Sequence, residues 1–148
     1  MNKINVADIL SQIRYVAILR MSPTFPNYKA GSDIDFLCLD VIATGTKLKS
    51  LMPLVQHDKE TGHIHLDSMV GGKIGLRFDM YTTVISLDFT IGLISSVRMI
   101  TIVGVDYWVP SEEFDGMLKC DEYLKFPKRK AKYKSFLNYK DQLDAYKV

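Results

Sequence analysis

Gly31-Ser32-Asp33-Ile34-Asp35-Phe36-Leu37 sets two carboxylates two residues apart in a run that otherwise reads as a β-strand. Side chains at i and i+2 of a strand share a face. Asp33 and Asp35 therefore project side by side, while Ile34, Phe36 and Cys38 project the other way. Like charges that close repel, and they weaken a sheet unless something positive sits between them. A divalent cation is the simplest remedy. Hard oxygen ligands favour Mg²⁺, which takes one or two carboxylates together with substrate phosphates, and Mn²⁺ suits the same donors.

A third carboxylate, Asp79, lies in a second strand-like run, Leu76-Arg77-Phe78-Asp79-Met80-Tyr81. If the two strands are neighbours, three carboxylates converge, enough to hold two metals that polarise a triphosphate and activate a hydroxyl. The Gly-Ser-Asp-Ile-Asp run followed by a lone Asp on a later strand resembles the nucleotidyltransferase superfamily, which includes DNA polymerase beta and the small antibiotic and protein nucleotidyltransferases. The resemblance implies Mg²⁺-dependent transfer of a nucleoside monophosphate from a nucleoside triphosphate to a hydroxyl or phosphate acceptor. Asp33 and Asp35 would hold the metals; Asp79 would complete the second and help deprotonate the acceptor. The fold expected is α/β (α+β in some schemes), a mixed sheet carrying the Asp strands, with flanking helices mostly on one face and a C-terminal helical segment.

The chain departs from that pattern at one place. Many members end the first strand with a Gly-Ser pair that cradles phosphates. Here Leu19-Arg20-Met21-Ser22 fills it, and Gly31-Ser32 abuts Asp33 instead. Either Arg20 and Ser22, with Gly31 and Ser32, take over phosphate binding, or triphosphate is not bound in the usual way. The planar guanidinium of Arg20 matches phosphate oxygens; its alternative is a strand-end charge reaching water. A Tyr-Val-x-x-Leu-Arg strand, a Pro-containing loop and an Asp-Ile-Asp strand are also similar to small nucleotidyltransferase-like proteins linked to surface polysaccharide genes. That narrower resemblance covers the first 80 or so residues and implies a sugar or glycan acceptor.

A chain of 148 residues, 47% apolar, is one domain by size, with residues 111–148 as a C-terminal helical extension, and is not a disordered segment. No apolar run approaches membrane-spanning length, and Met1 to Asn5 begins no signal peptide. Cys38 and Cys120 lack metal-ligand spacing, so Cys38 reads as a small core residue and the compartment as reducing cytoplasm. The net charge is only +2, but residues 125–134 hold six basic residues and no acid.

Val6, Ile9, Leu10 and Ile13 predict a short helix over 5–14 capped by Asn5. The apolar run Tyr15 to Leu19 predicts a buried strand, and residues 21–32 a loop. Leu48, Leu51, Met52 and Val55 predict a helix over 45–56, kinked at Pro53. Asp58 to Gly62 reads as a turn, and His63-Ile64-His65-Leu66-Asp67 alternates as a strand. His-x-His-x-Asp could bind a transition metal, but the reading taken is a polar strand face. A two-residue Gly71-Gly72 turn pairs residues summing to 143, which sets Ile64 opposite Asp79 and turns both histidines away from it.

Residues 85–97 fit a helix or a buried strand. Met99 to Val109 reads as one strand, and Ser111 caps a helix running to about Leu124. Trp108 is expected where that strand meets that helix. Lys128 to Val148 reads as a second helix, on which Lys130 and Lys134 share a face toward the phosphates and Lys132 does not. The competing reading of the whole chain is a non-catalytic binding or regulatory module of the same fold, contacting a polyanion or a protein partner. Nucleic acid is not favoured, since no RNA-binding aromatic signature or zinc motif is present.

Overall fold

The computed structural model describes residues 3–147. Met1 and Asn2, and Val148 at the end of the expected last helix, lie outside the described residues. In chain order the elements are β1 (Lys3–Asn5), α1 (Ala7–Leu10), β2 (Ala17–Leu19), β3 (Asn27–Lys29), β4 (Ser32–Leu37), α2 (Val41–Leu51), β5 (Val55–Glu60), β6 (His63–Val70) and β7 (Lys73–Tyr81). Then come α3 (Leu87–Ser95), β8 (Arg98–Ile102), β9 (Val105–Val109), α4 (Glu112–Lys125), a 3₁₀ segment (Ala131–Tyr139) and α5 (Lys140–Tyr146). A five-stranded sheet runs in the order β2-β4-β7-β6-β5, and β1-β3 and β8-β9 form two ribbons beside it. Within the sheet β4 and β7 are parallel and the other neighbours antiparallel.

The central sheet is covered on both faces, not mostly on one. Ile34, Phe36, Leu66, Phe78 and Met80 point to a core closed by α1, α2 and the β8-β9 ribbon. Ala17, Leu19 and Leu37 point the other way, into a second core with Phe89 and Leu93 of α3, Phe114, Met117 and Leu118 of α4, and Leu143 of α5. A strand with apolar groups on both sides must be sandwiched, and Ala17-Ile18-Leu19 is buried at every position. The second core covers only one end of its face. The remainder, carrying Asp33, Asp35 and Asp79, lies under clefts that the C-terminal end of α4 and the start of the 3₁₀ segment help to wall.

Several elements differ from the sequence expectation for identifiable reasons. Helix α2 starts earlier, where Asp40 accepts from the amides of Ile42 and Ala43, and it ends before Pro53. Residues 58–60, expected in a turn, belong to the edge strand β5. The run 99–109 is a hairpin, turned at Val103-Gly104, where both residues have positive φ. Tyr107, 1% exposed, and Val109 turn inward, whereas Trp108 is 46% exposed and does not fill the strand–helix junction. The segment after Pro127 is 3₁₀ before it is α. Tyr133, Phe136 and Tyr139, three apart, form one half-buried row against α4, as a three-residue turn requires.

That row depends on Gly116 of α4. A Cβ there would lie 2.4 Å from Tyr139 Cε2. Gly116→Ala should therefore destabilise the chain despite a helix-propensity gain of about 1 kcal/mol, because overpacking costs about 1–3 kcal/mol. In a Tyr139→Ala background the same change should become stabilising. Urea unfolding of the four chains of this cycle checks it; an unchanged sign would mean Tyr139 does not press on α4.

Candidate active site

The open sheet face is built from three neighbouring strands. On β4 and β7, Asp35 and Asp79 are direct partners in the parallel register, with Asp33 paired to Arg77. Asp33, Asp35 and Asp79 line one cleft of about 440 Å³ together with Arg20, Arg129 and Lys130. An adjoining cleft of about 390 Å³ shares Arg20, Asp33, Asp35 and Lys130 and adds Ser22, Gly31, Ser32 and Lys132. Lys134 is exposed and lines neither. The expected pairing of Lys130 with Lys134 fails because the segment is 3₁₀, where residues four apart no longer stack.

The third strand, β6, overturns the expected histidine orientation. The two-residue turn is present, with Val70 opposite Lys73 and Met69 opposite Ile74, but the register then slips by one, setting Ser68 opposite Leu76 and His65 opposite Asp79. The extra residue is a β-bulge at Ile74-Gly75. A Cβ on Gly75 would lie 2.9 Å from Ser68 Oγ and 3.0 Å from Val70 Cγ2, so a larger residue at the bulge would displace those side chains. One step of slip turns every side chain over. His63 and His65 thus join the Asp79 face, and an isolated Gly inside a strand was the signal available for it.

Asp79 is 7% exposed and well supplied with partners. His63 Nε2 lies 2.6 Å and His65 Nε2 3.0 Å from its Oδ1. The Tyr81 hydroxyl donates to its Oδ2 at 3.0 Å. Burial draws His65 below the usual imidazole range, with the Asp79 charge opposing. Arg20 donates to Asp35 Oδ2 at 3.4 Å and also approaches Glu122 at 3.9 Å. Burial pushes the Asp35 carboxyl up to about 7, against Arg20 and helped by Asp79 and Asp33. Burial also raises Asp33, with Arg77 opposing.

Arg77 is committed elsewhere. Its Nε and a terminal nitrogen donate to both oxygens of the buried Asp67, at 2.8 and 3.1 Å. This places Asp67 in an ion pair rather than in a His-x-His-x-Asp cluster. The Gly31 amide donates to the carbonyl of Gly75 at 2.6 Å, so it does not point into the cleft as a free phosphate donor. Ser22 Oγ lies in a local turn with Thr24. Tyr81 and Glu122 belong to no short motif and went unpredicted, Arg129 lies in the basic segment 125–134, and the two histidines of His-x-His-x-Asp were turned away from the site by the expected register.

Three neutral or acidic wall residues, Thr61, Thr83 and Glu122, continue the open face into a further cleft of about 450 Å³, which also meets Arg20, His63 and Tyr81. No helix among the described residues is long and apolar enough to cross a membrane.

No protein-family model and no curated protein matches the chain. The fold is similar to that of a solved structure, an antigenic nucleotidyltransferase-like protein from Paracoccidioides brasiliensis. The TM-score is 0.53 at 11% identity, over 93% of this chain and 77% of that one. The fold is nucleotidyltransferase-like: a mixed sheet with flanking helices and a C-terminal helix.

Proposed function

We propose that the protein transfers a nucleoside monophosphate from a nucleoside triphosphate to an acceptor hydroxyl. The observation that carries this reading is the convergence of Asp33, Asp35 and Asp79 on one cleft whose other wall is basic. The donor set fits Mg²⁺ or Mn²⁺. All three donors are carboxylates, and Asp35 holds a proton up to about pH 7 in the absence of a cation, as expected of a crowded anionic site that a metal would deprotonate. Asp33, Asp35 and Asp79 would hold the metal, which would supply charge neutralisation of the triphosphate.

The chain's own groups would do the rest. Lys130, Lys132 and Arg129 would draw the outer phosphate oxygens into the clefts in place of the absent Gly-Ser loop. Asp79, fixed by His63, His65 and Tyr81, would accept the proton of the acceptor hydroxyl. The acceptor oxygen bonds to the α-phosphorus as the bond to the bridging oxygen breaks, and pyrophosphate leaves. Positioning and charge neutralisation carry most of the rate in such chemistry. The polar cleft beyond Tyr81 suits a polyhydroxylated acceptor, in keeping with a sugar or glycan.

One observation favours the alternative, a binding module without turnover: a cation of the chain, Arg20, already stands 3.4 Å from Asp35 where a metal would bind. Calorimetric titration with each nucleoside triphosphate and Mg²⁺ or Mn²⁺ separates the two. Binding should require metal, vanish in Asp33→Asn, weaken by about 1.5–3 kcal/mol in Lys130→Ala and stay unchanged in Lys134→Ala. Metal-independent binding, or equal small losses at both lysines, would leave the binding module as the better reading. Pyrophosphate release in the presence of sugars then tests transfer.

A further inference from the structure

We propose that His63, His65 and Asp79 form a binding site for one transition-metal ion of the Zn²⁺ or Co²⁺ type, sharing Asp79 with the carboxylate cleft and adding two imidazoles to it. The inference does not depend on nucleotidyl transfer; it needs only two imidazoles and one carboxylate. The three residues each offer one ligand atom, and these atoms lie within 4.8 Å of one another. Both Nε2 atoms face the same oxygen, Asp79 Oδ1, at 2.6 and 3.0 Å. Ligands bound to Zn²⁺ at about 2.0–2.2 Å in a tetrahedron stand roughly 3.3 Å apart. A small outward shift of the carboxylate therefore opens the cluster to an ion.

Two of the three ligands are held in place by their surroundings. His63 Nδ1, the nitrogen turned away from the cluster, faces the exposed Glu60 at 4.0 Å, beyond hydrogen-bond distance. The Tyr81 ring stacks on His63 at 4.1 Å between centroids and 19° between planes, which fixes the imidazole. Its hydroxyl takes Asp79 Oδ2 and leaves Oδ1 for the cluster. His65 turns Nε2 to the cluster, and its Nδ1 is buried without a protein partner. Two imidazoles select a borderline ion over Mg²⁺, which prefers oxygen. Three protein ligands leave a position open, and His63 lines the 450 Å³ cleft through which the ion would arrive.

The competing account is a hydrogen-bonded cluster in which the imidazoles only donate to Asp79. Titrating the purified, metal-free chain with Co²⁺ in excess Mg²⁺ decides between them. The expected result is a visible ligand-field absorption saturating at about one equivalent. His63→Gln and His65→Gln should each weaken binding by at least about tenfold, and Asp33→Asn should leave it nearly unchanged. Loss of Mg²⁺–triphosphate binding in Asp33→Asn with Co²⁺ binding intact keeps this site apart from the transfer reaction. Absence of the absorption in the natural chain, or equal affinity in the histidine variants, overturns the proposal. Should a variant fail to fold, imidazole ¹⁵N shifts of the natural chain on Zn²⁺ addition give the answer: movement at His63 and His65 supports the site, and movement at His57 alone overturns it.

Discussion

Asp35→Asn should stabilise the metal-free protein above neutral pH and, in the same chain, abolish metal-dependent triphosphate binding. The carboxyl of Asp35 is raised from 3.8 to about 7, first by burial and then by Asp79 and Asp33, with Arg20 resisting. The folded state therefore holds its proton more tightly than the unfolded chain does. As pH rises from about 4 to 7, the unfolded chain ionises Asp35 freely while the folded chain ionises it only at a cost. Stability is thus lost as pH rises through that window. A shift of this size corresponds to about 4 kcal/mol, shared among the three carboxylates. The natural chain's melting temperature should fall between pH 4 and 7 and recover on adding Mg²⁺. The variant should show neither the fall nor the recovery. Thermal unfolding across that pH range, with and without Mg²⁺, measures both. A variant less stable than the natural chain at pH 8 without metal would make Asp35 a structural partner of Arg20, and the catalytic reading would lose its centre.

The parts of this site that local period controls were legible in the sequence. Asp33 and Asp35 share a face because strand period is two, and Ala17-Ile18-Leu19 declares burial on both sides of β2. The expectation of helices mostly on one face did not follow that run to its consequence, a layer on each side of β2. What was not legible depended on single-residue steps. Gly75 inserts one residue into β7 and carries His63 and His65 to the Asp79 side; nothing in His63 to Asp67 itself distinguishes the two registers. A one-residue step likewise decides that Tyr107 rather than Trp108 turns inward on the β8-β9 hairpin. Tyr133, Phe136 and Tyr139 fit an α-helical stripe nearly as well as a 3₁₀ row. The chain takes the tighter turn, with Tyr139 packed on Gly116, and Lys134 lies away from the clefts. The hydrogen-bond partners of Asp79 come from two strands and a bulge, so no linear motif could announce them.

Arg77→Met should cost the fold about 3–5 kcal/mol, the usual consequence of stranding one member of a buried ion pair. Asp67 is 1% exposed, and Arg77 grips both its oxygens. The partner that remains is His57, at 3.4 Å on a half-exposed side chain, so the loss falls toward the lower end of that range. The Arg77 hydrogen bond holds the Asp67 carboxyl below the usual carboxylate range. Its stabilisation is therefore present above about pH 4 and is lost as pH falls through that lowered value. The deficit of the variant should shrink in the same acid window. Removing both charges in Arg77→Met/Asp67→Leu should restore much of the stability, because no buried charge is then left alone. The change also reaches the site. Arg77 is the cross-strand partner of Asp33 and opposes the rise of its pKa. Without it Asp33 should hold its proton to higher pH and bind metal less readily. Urea unfolding of the two variants and the natural chain at pH 8 and pH 4, with Mg²⁺–triphosphate titrations alongside, tests both consequences. Coincident unfolding midpoints at pH 8 would show that Asp67 is hydrated or held by His57 alone, and any loss of metal binding would then have to arise from Asp33 directly.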